Sequence, residues 1–125
     1  MVPATDILLI EDEPNIAEAV RFILTRDGWR LDHWAEGSQA LARIAALRPR
    51  LVILDVMLPA QSGLEVLSAL RADPQLSATP VLMLTARGTA GRGAIAPEAA
   101  DRVMAKPFDN DDLRRLVSEM LGAPQ

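Results

Sequence analysis

The sequence predicts an α/β fold in which helices cover both faces of a five-stranded parallel sheet. Two patterns support this prediction. Continuously apolar runs, ILLI, LVIL and VLML, have the composition of strands that are buried on both faces. Between them lie stretches whose apolar residues recur at helical spacing, an alternation typical of parallel sheets. Half of the 125 residues are apolar, which predicts one domain over residues 1–125 with a core in about 6–121.

Local signals mark the first strand and the first helix. Residues 6–10 form an apolar run that leads into two acids. Pro14 takes the position just inside a helix start, where its missing N–H costs nothing, and Gly28 ends the helix. Residues 29–35 alternate only weakly between apolar and polar side chains. We therefore expect a second strand at an edge of the sheet, with its two tryptophans on opposite faces.

The middle of the chain repeats this alternation. Gly37 and Ser38 open a second helix, which ends before Pro49. Residues 51–55, LVILD, form a third strand that closes on an acid. A capping box at residues 62–65 opens the third helix, because its Ser and Glu side chains satisfy N–H groups that a helix start leaves free.

The last third of the chain holds two strands and a well-marked final helix. Residues 80–86 and 101–105 are the fourth and fifth strands, and Asp109 caps a helix with a clear apolar stripe. Between these strands, residues 87–100 contain three glycines and a proline. An interior Gly costs roughly 1 kcal/mol relative to Ala, and an interior Pro about 3 kcal/mol. We therefore expect the fourth helix to be short or irregular.

The order of these elements predicts where a ligand would bind. Right-handed crossovers favour the flavodoxin-like strand order 2-1-3-4-5. In such a sheet the crevice lies beyond the carboxyl ends of the strands, between the first and third strands. The polar residues that close or follow the strands are therefore the candidate site residues: Glu11, Asp12, Asp55, Thr85 and Lys106.

The candidate crevice holds more acids than its single lysine neutralises. Two carboxylates about 4 Å apart repel by roughly 4 kcal/mol at an effective dielectric constant of about 20. Either the pKa of some acids rises or a divalent cation lies among them. The chain has no Cys and one His, His33, which we expect at the surface or on the edge strand. Oxygen ligands remain, and they select a hard cation, most plausibly Mg²⁺.

An Asp, a Lys and a Thr beside Mg²⁺ have the chemistry that phosphoryl transfer needs. A carboxylate can act as the nucleophile and become an aspartyl phosphate. The cation and the lysine neutralise the phosphoryl oxygens, and a hydroxyl can hydrogen-bond the bound phosphate.

Charge and hydropathy argue against other classes of protein. The net charge of −4 disfavours nucleic acid as a direct ligand, because binding to phosphates needs clustered Lys and Arg. No apolar stretch is long enough to span a membrane, and the N-terminus has no signal-peptide pattern. We therefore expect a cytoplasmic location.

Four motifs occur in order along the chain: LLIEDEP, LVILDVMLPAQSGLEVL, VLMLTA and MAKPF. With them the chain resembles, from about residue 6 to 121, the receiver domain of bacterial two-component response regulators. The resemblance implies a signalling switch that accepts a phosphoryl group on Asp55 from a histidine kinase or phosphotransfer protein in a Mg²⁺-dependent reaction. It also implies that an unidentified downstream protein reads residues 86–108, and that the chain turns over no external substrate.

The resemblance also implies roles for individual residues. The Mg²⁺ ligands that it implies are Asp12, Asp55, the Met57 backbone carbonyl and, through water, Glu11. It implies that Thr85 and Lys106 contact the phosphoryl group and that the bond to Pro107 is cis. The candidate kinase contacts are Asn15, Ala19, Phe22, Pro107 and Phe108. We expect a monomer or weak dimer.

The chain departs from the family pattern at two places, and a further pair of residues bears on the lifetime of the phosphoryl group. Val103 stands where most receivers have an aromatic residue that rotates on activation, so the usual relay is in doubt. The Gly- and Pro-rich segment 86–100 replaces a regular helix, and we expect activation to order it. Met57 and Arg87 occupy positions that tune attack by water on the acyl phosphate. Because the apolar Met57 offers no hydrogen bond to that water, slow autodephosphorylation is predicted.

Three alternatives remain at this point. The first is a degenerate receiver that binds proteins without being phosphorylated, against which the complete set of acids, Thr and Lys argues. The second is a phosphatase with an Asp nucleophile, which would need a second Asp where Met57 stands. The third is a flavin-binding domain, whose phosphate the acids at the strand ends would repel.

Overall fold

The computed structural model describes residues 5–58, 61–86, 100–106 and 108–122. The strands are β1 (Ile7–Ile10), β2 (Leu31–Trp34), β3 (Leu51–Asp55), β4 (Val81–Ala86) and β5 (Arg102–Lys106). The helices are α1 (Pro14–Arg26), α2 (Ala40–Leu47), α3 (Gly63–Ala72) and α4 (Asn110–Leu121). The strands form a parallel sheet of order β2-β1-β3-β4-β5. The predicted fold class, strand order and edge position of β2 are confirmed.

Helices pack on both faces of the sheet and divide the core into two apolar clusters. Ile7 and Leu9 of β1 belong to the cluster beneath α1 and α4. Leu8 and Ile10 belong to the cluster beneath α2 and α3. All four side chains are fully buried. Burial on both faces explains why this strand is continuously apolar in sequence.

The predicted helix signals act as expected at four boundaries. Pro14 is the first residue of α1, and Gly28 follows its end with φ of 102°. At the start of α3, Ser62 and Glu65 form both bonds of the capping box. The Asp109 side chain accepts a hydrogen bond from the N–H of residue 111 at the start of α4.

Several predicted strand ends differ from the observed ones by one or two residues, and two predicted boundaries were wrong for identifiable reasons. Helix α2 begins at Ala40 and not at Gly37 or Ser38, because Gln39 adopts a left-handed conformation with φ of 62° that cannot continue a helix. Lys106 is the last residue of β5 and does not follow the strand, because its backbone pairs with Ala86 of β4.

The two tryptophans lie on opposite faces of the sheet, as predicted. Trp29 is buried in the cluster beneath α1 and α4, although it precedes β2. Trp34, the last residue of β2, packs against the cluster beneath α2 and α3. Each residue therefore packs on a different helical layer.

The short or irregular helix that the sequence predicts between β4 and β5 falls in residues 87–100, and residues 87–99 lie outside the described residues. Pro107, with its predicted cis bond, also lies outside them. Among the helices that the structure describes, none has both the length and the apolar character of a membrane span.

The amino ends of the strands are joined by a buried carboxylate, Asp6. One of its oxygens accepts hydrogen bonds from the N–H of Arg30 at 2.9 Å and from the Arg30 side chain at 3.3 Å. The other lies 3.5 Å from Nη1 of Arg50. The Arg50 side chain also donates to the carbonyl of Leu121 at 3.0 Å. Asp6 therefore ties β1 to the segments before β2 and β3, and Arg50 extends the network to the end of α4.

Candidate functional site

Three acids from two strand ends converge at the opposite, carboxyl edge of the sheet. Glu11 and Asp12 follow β1, and Asp55 closes β3, which pairs with β1. One oxygen from each of the three carboxylates lies within 4.8 Å of the others. The structure thus brings together the three acids that the sequence placed at the switch point of the strand order.

Glu11 is the fully buried member of this group. Its Oε2 accepts a hydrogen bond from the N–H of Glu13 at 3.2 Å, and its Oε1 lies 3.1 Å from Nζ of Lys106. Burial raises the pKa of Glu11 to about 7, and the neighbouring Asp55 carboxylate reinforces this rise. The Glu13 N–H and Lys106 offset it only in part. The site therefore does not hold all its acids ionised at low cost.

Asp55 is 2 % exposed, and its carboxylate touches groups from two directions. The N–H of Met57 donates to Oδ1 at 3.3 Å, and Nζ of Lys106 lies 3.2 Å from the same oxygen. The other oxygen, Oδ2, has no hydrogen-bond donor or cation beside it among the described residues, so it remains available to a ligand.

Lys106 reaches the acids from the far strand β5. Burial by itself lowers the pKa of a lysine, but the contacts with Glu11 and Asp55 outweigh it, so the pKa of Lys106 is raised. The ammonium therefore stays protonated and bridges the ends of β1 and β3. One cation still faces three carboxylates.

Thr85 lies in β4, between the strands that carry Asp55 and Lys106. Its side chain is 4 % exposed, and its hydroxyl has no hydrogen-bond partner among the described residues. Buried hydroxyls are normally paired, because an unpaired one loses its hydrogen bonds to water. An unpaired hydroxyl at this end of the sheet is a donor available to a ligand.

A cleft of about 650 Å³ opens beside the acids. The cleft is lined by residues of α1 and the start of α4, and by Asp12, Asp55, Met57 and Lys106. Among these, Asp12 is exposed. Thr85 and Glu11 are not among its lining residues. A ligand would therefore reach Asp55 from the side of Asp12 and Met57.

Gly63 was not singled out by sequence reasoning, although it fixes the backbone of Asp55. A Cβ at this position would lie 1.9 Å from the carbonyl oxygen of Asp55. The N–H of Gly63 also donates to the carbonyl of Val56 at 2.9 Å. Only glycine lets the start of α3 come so close to the end of β3. A Gly directly after the Ser of the capping box, where helix propensity does not favour it, was the available signal.

His33 lies on the edge strand, as predicted, and its ring reaches the loop that carries the acids. Its Nε2 is 2.7 Å from the backbone oxygen of Glu11. The carboxylates offer oxygen ligands, and His33 is outside the acidic cluster.

The donor set fits a hard cation. The three carboxylates supply only oxygen ligands. One oxygen of each lies within 4.8 Å of the others, which is close enough for all three to surround one cation. A divalent cation would also balance the negative charge that Lys106 leaves uncompensated. Of the three clustered acids, Asp12 and Asp55 line the cleft from which the cation would enter.

Comparison with known proteins gives a family. A family model described as the response regulator receiver domain matches residues 7–118. The DNA-binding response regulator MtrA of Mycolicibacterium smegmatis is 39% identical over 108 residues, which are 86% of this chain and 46% of MtrA. The chain spans about half the length of the curated relatives it matches.

Solved structures resemble the whole described fold. The receiver domain of sensor histidine kinase PA1611 from Pseudomonas aeruginosa PAO1, with a magnesium ion coordinated in the active site cleft, has a TM-score of 0.86 at 27% identity. The match covers 97% of this chain and 100% of that one. Response regulator protein TrrA from Thermotoga maritima, in complex with Mg(2+)-BeF, has a TM-score of 0.83 at 33% identity, with 94% and 99% coverage.

Proposed function

We propose, because the chain belongs to the response regulator receiver domain family, that it is a phosphorylation-dependent signalling switch with Asp55 as the phosphoacceptor. The charge imbalance at the carboxyl edge of the sheet carries this proposal. Three carboxylates lie within 4.8 Å of one another and face one lysine, next to an open cleft. A site with a surplus of clustered negative charge suits a divalent cation and the phosphoryl group that the cation neutralises.

The transfer step uses the free oxygen of Asp55. With a phosphohistidine as donor, a carboxylate oxygen of Asp55 forms a bond to phosphorus while the bond from phosphorus to the imidazole nitrogen breaks. The imidazole keeps the electron pair and takes a proton from water, and Asp55 becomes an aspartyl phosphate. Bound Mg²⁺ would supply charge neutralisation for the phosphoryl oxygens. Asp12, Asp55 and the Met57 carbonyl would hold it, with Glu11 acting through water.

Lys106 and Thr85 act on the product. The Lys106 ammonium, 3.2 Å from Asp55 Oδ1, stabilises the negative charge that arrives with the phosphoryl group. The hydroxyl of Thr85, which has no partner among the described residues, gains a hydrogen bond when it donates to a phosphoryl oxygen. The phosphoryl group would therefore contact Thr85 of β4 and Lys106 of β5 together. Changes at these two strands would transmit the signal to residues 86–108.

Receiver domains of response regulators interact with histidine kinases, and the cleft suggests where such a partner docks. Asn15, Ala19 and Phe108 line it with Asp55. Phe22, further along α1, is 64% exposed. We propose that a kinase or phosphotransfer protein binds this face; Pro107, the remaining candidate contact, lies outside the described residues.

The output step departs from the usual aromatic relay. Val103 lies on β5 with 42% of its surface exposed. Because it is a valine, it has no aromatic ring that could turn inward. We propose that the ordering of residues 86–100 replaces the relay. An unchanged rate of amide exchange in residues 87–100 after phosphate mimicry would contradict this step.

Met57 bears on how fast water hydrolyses the aspartyl phosphate. This side chain lines the cleft two residues after Asp55, and it is 66% exposed. A thioether orients an attacking water poorly, and no carboxylate stands there to act as a general base. We propose slow autodephosphorylation and no turnover of an external phosphate ester; a half-life of seconds would contradict the slow loss.

Intact mass spectrometry tests the proposed function. The chain is incubated with acetyl phosphate, with Mg²⁺ or with a chelator, beside Asp55→Asn and the surface control Asp112→Asn on α4. We expect one added phosphoryl group in the wild type and in the surface control, only with Mg²⁺, and none in Asp55→Asn.

Two outcomes would contradict the proposal. A phosphoryl group on the Asp55→Asn variant would place the acceptor on another acid. No phosphoryl group on the wild type, with acetyl phosphate or with histidine kinases as donors, would favour the degenerate receiver that binds proteins without phosphorylation.

A further inference from the structure

We propose that His33 is a positioning residue of the candidate cation site, which it serves by holding the peptide between Glu11 and Asp12. This inference rests on the proposed function, since it concerns the acids that would hold Mg²⁺. His33 Nε2 lies 2.7 Å from the backbone oxygen of Glu11. A carbonyl oxygen only accepts, so Nε2 carries the hydrogen in this contact.

The contact replaces a missing strand partner. The N–H of Glu11 donates to the carbonyl of Trp34 at 3.0 Å, so the ladder between β1 and β2 extends one step beyond β1. In a parallel ladder the carbonyl of Glu11 would then accept from the N–H of Glu36. Strand β2 ends at Trp34, and the His33 side chain supplies the donor instead.

One hydrogen bond at this position orients two acids. The carbonyl of Glu11 and the N–H of Asp12 belong to the same planar peptide unit, so fixing the oxygen also fixes the Cα of Asp12. The Asp12 carboxylate is exposed, and no hydrogen bond or ion pair among the described residues holds it. Its place in the cation site therefore depends on the backbone that His33 holds.

A pair of amide variants separates the donor from simple packing. Gln at position 33 places its amide nitrogen near the position of Nε2, whereas the shorter Asn amide does not reach the Glu11 carbonyl. We measure Mg²⁺ affinity by titration calorimetry at about pH 8, with unfolding by urea in parallel. We expect His33→Asn to weaken Mg²⁺ binding about three- to tenfold and His33→Gln to stay within about twofold of wild type. Loss of global stability alone leaves the affinity of the folded protein unchanged.

A spectroscopic readout tests the contact without any metal. Because His33 is the only histidine of the chain, its ring nitrogen signals in NMR need no assignment. We expect the neutral ring to carry its hydrogen on Nε2, and its signals to shift as Mg²⁺ is added. A hydrogen on Nδ1 in the neutral ring would overturn the inference.

The calorimetry distinguishes failure of this inference from failure of the site. If wild type binds Mg²⁺ and both variants bind it equally well, or weaken equally, His33 does not position the acids through its donor. If wild type binds no Mg²⁺, the cation site of the proposed function fails, and this inference fails with it.

Discussion

The two ends of the parallel sheet both bury carboxylates, but they compensate them in opposite ways. At the amino end, Asp6 faces two arginines and a backbone N–H. At the carboxyl end, three acids face Lys106, and the hydroxyl of Thr85 has no partner among the described residues. A buried charge with complete partners is satisfied within the folded chain, and removing one partner destabilises it, whereas clustered charge left in surplus beside a cleft is typical of a functional site.

The pKa shifts at the two ends of the sheet have opposite signs. Burial alone would raise the pKa of Asp6, but the Arg30 and Arg50 contacts outweigh it, and the pKa is lowered. Burial raises the pKa of Glu11 to about 7. Folding thus favours the ionised form of Asp6 and the protonated form of Glu11.

Exchanging each carboxylate for an amide gives the largest expected contrast. Asp6→Asn leaves two arginines without their anion, and we expect the free energy of unfolding to fall by about 2–4 kcal/mol. Asp55→Asn removes one of three repelling acids, and we expect no loss or a gain of up to about 1 kcal/mol without Mg²⁺. Urea unfolding at neutral pH measures both. An equal loss of unfolding free energy in the two variants would contradict the proposed difference between the two ends of the sheet.

A methyl group at Gly63 tests how rigidly the carboxyl end is built. Its Cβ would meet the Asp55 carbonyl at 1.9 Å, so we expect Gly63→Ala to destabilise by about 2–3 kcal/mol and to impair phosphorylation. The matched control is Ser62→Ala, which breaks the capping box for about 1 kcal/mol and leaves the backbone of Asp55 in place. Phosphorylation that is impaired equally in both variants would show that the close approach has no special role.

The pH dependence of stability should carry opposite signs at the two ends. Glu11 holds its proton more tightly in the folded chain, so its contribution is full below about pH 4.5 and is lost as the pH rises through about 7. Between about pH 5 and pH 8 we expect wild type to lose about 1–2 kcal/mol more than Glu11→Gln. The contribution of Asp6, with its lowered pKa, is lost only on acidification below its unfolded value. A difference between wild type and Glu11→Gln that does not change with pH would contradict this account.

The smallest effect on stability is expected at Thr85. Since its hydroxyl has no partner among the described residues, Thr85→Val should change the free energy of unfolding by less than about 1 kcal/mol. The variant should still accept a phosphoryl group but fail to transmit it, which amide exchange in β4 and β5 would report. Thr85→Ser, which keeps the hydroxyl, should transmit the signal; a silent Thr85→Ser variant would assign the effect to lost packing.

The sequence predicted the sheet, and it predicted which polar side chains meet at one edge of it, because both depend on where apolar runs end; the roles of those side chains stay predictions. Such run boundaries placed Asp55 and Thr85 at strand ends, and parallel pairing then placed them at one edge of the sheet. Gly63 was missed because its role is the close approach of α3 to β3, and its unusual place after the Ser of the capping box gave only a weak local signal. The predicted start of α2 was wrong because Gln39 takes a left-handed conformation, which a non-glycine residue rarely adopts and which no residue pattern before it signals. Asp6 looked like the start of a strand, since its arginine partners are distant in sequence.

Direct location of the phosphoryl group tests the central claim that the under-compensated end is the reactive one. Borohydride reduces an aspartyl phosphate to homoserine, and peptide mass spectrometry then identifies the residue converted after reaction with acetyl phosphate and Mg²⁺. The account predicts homoserine at position 55 and none at Asp6 or Asp12. Conversion at any other acid, or none at position 55 in a chain that gained a phosphoryl group, would contradict it.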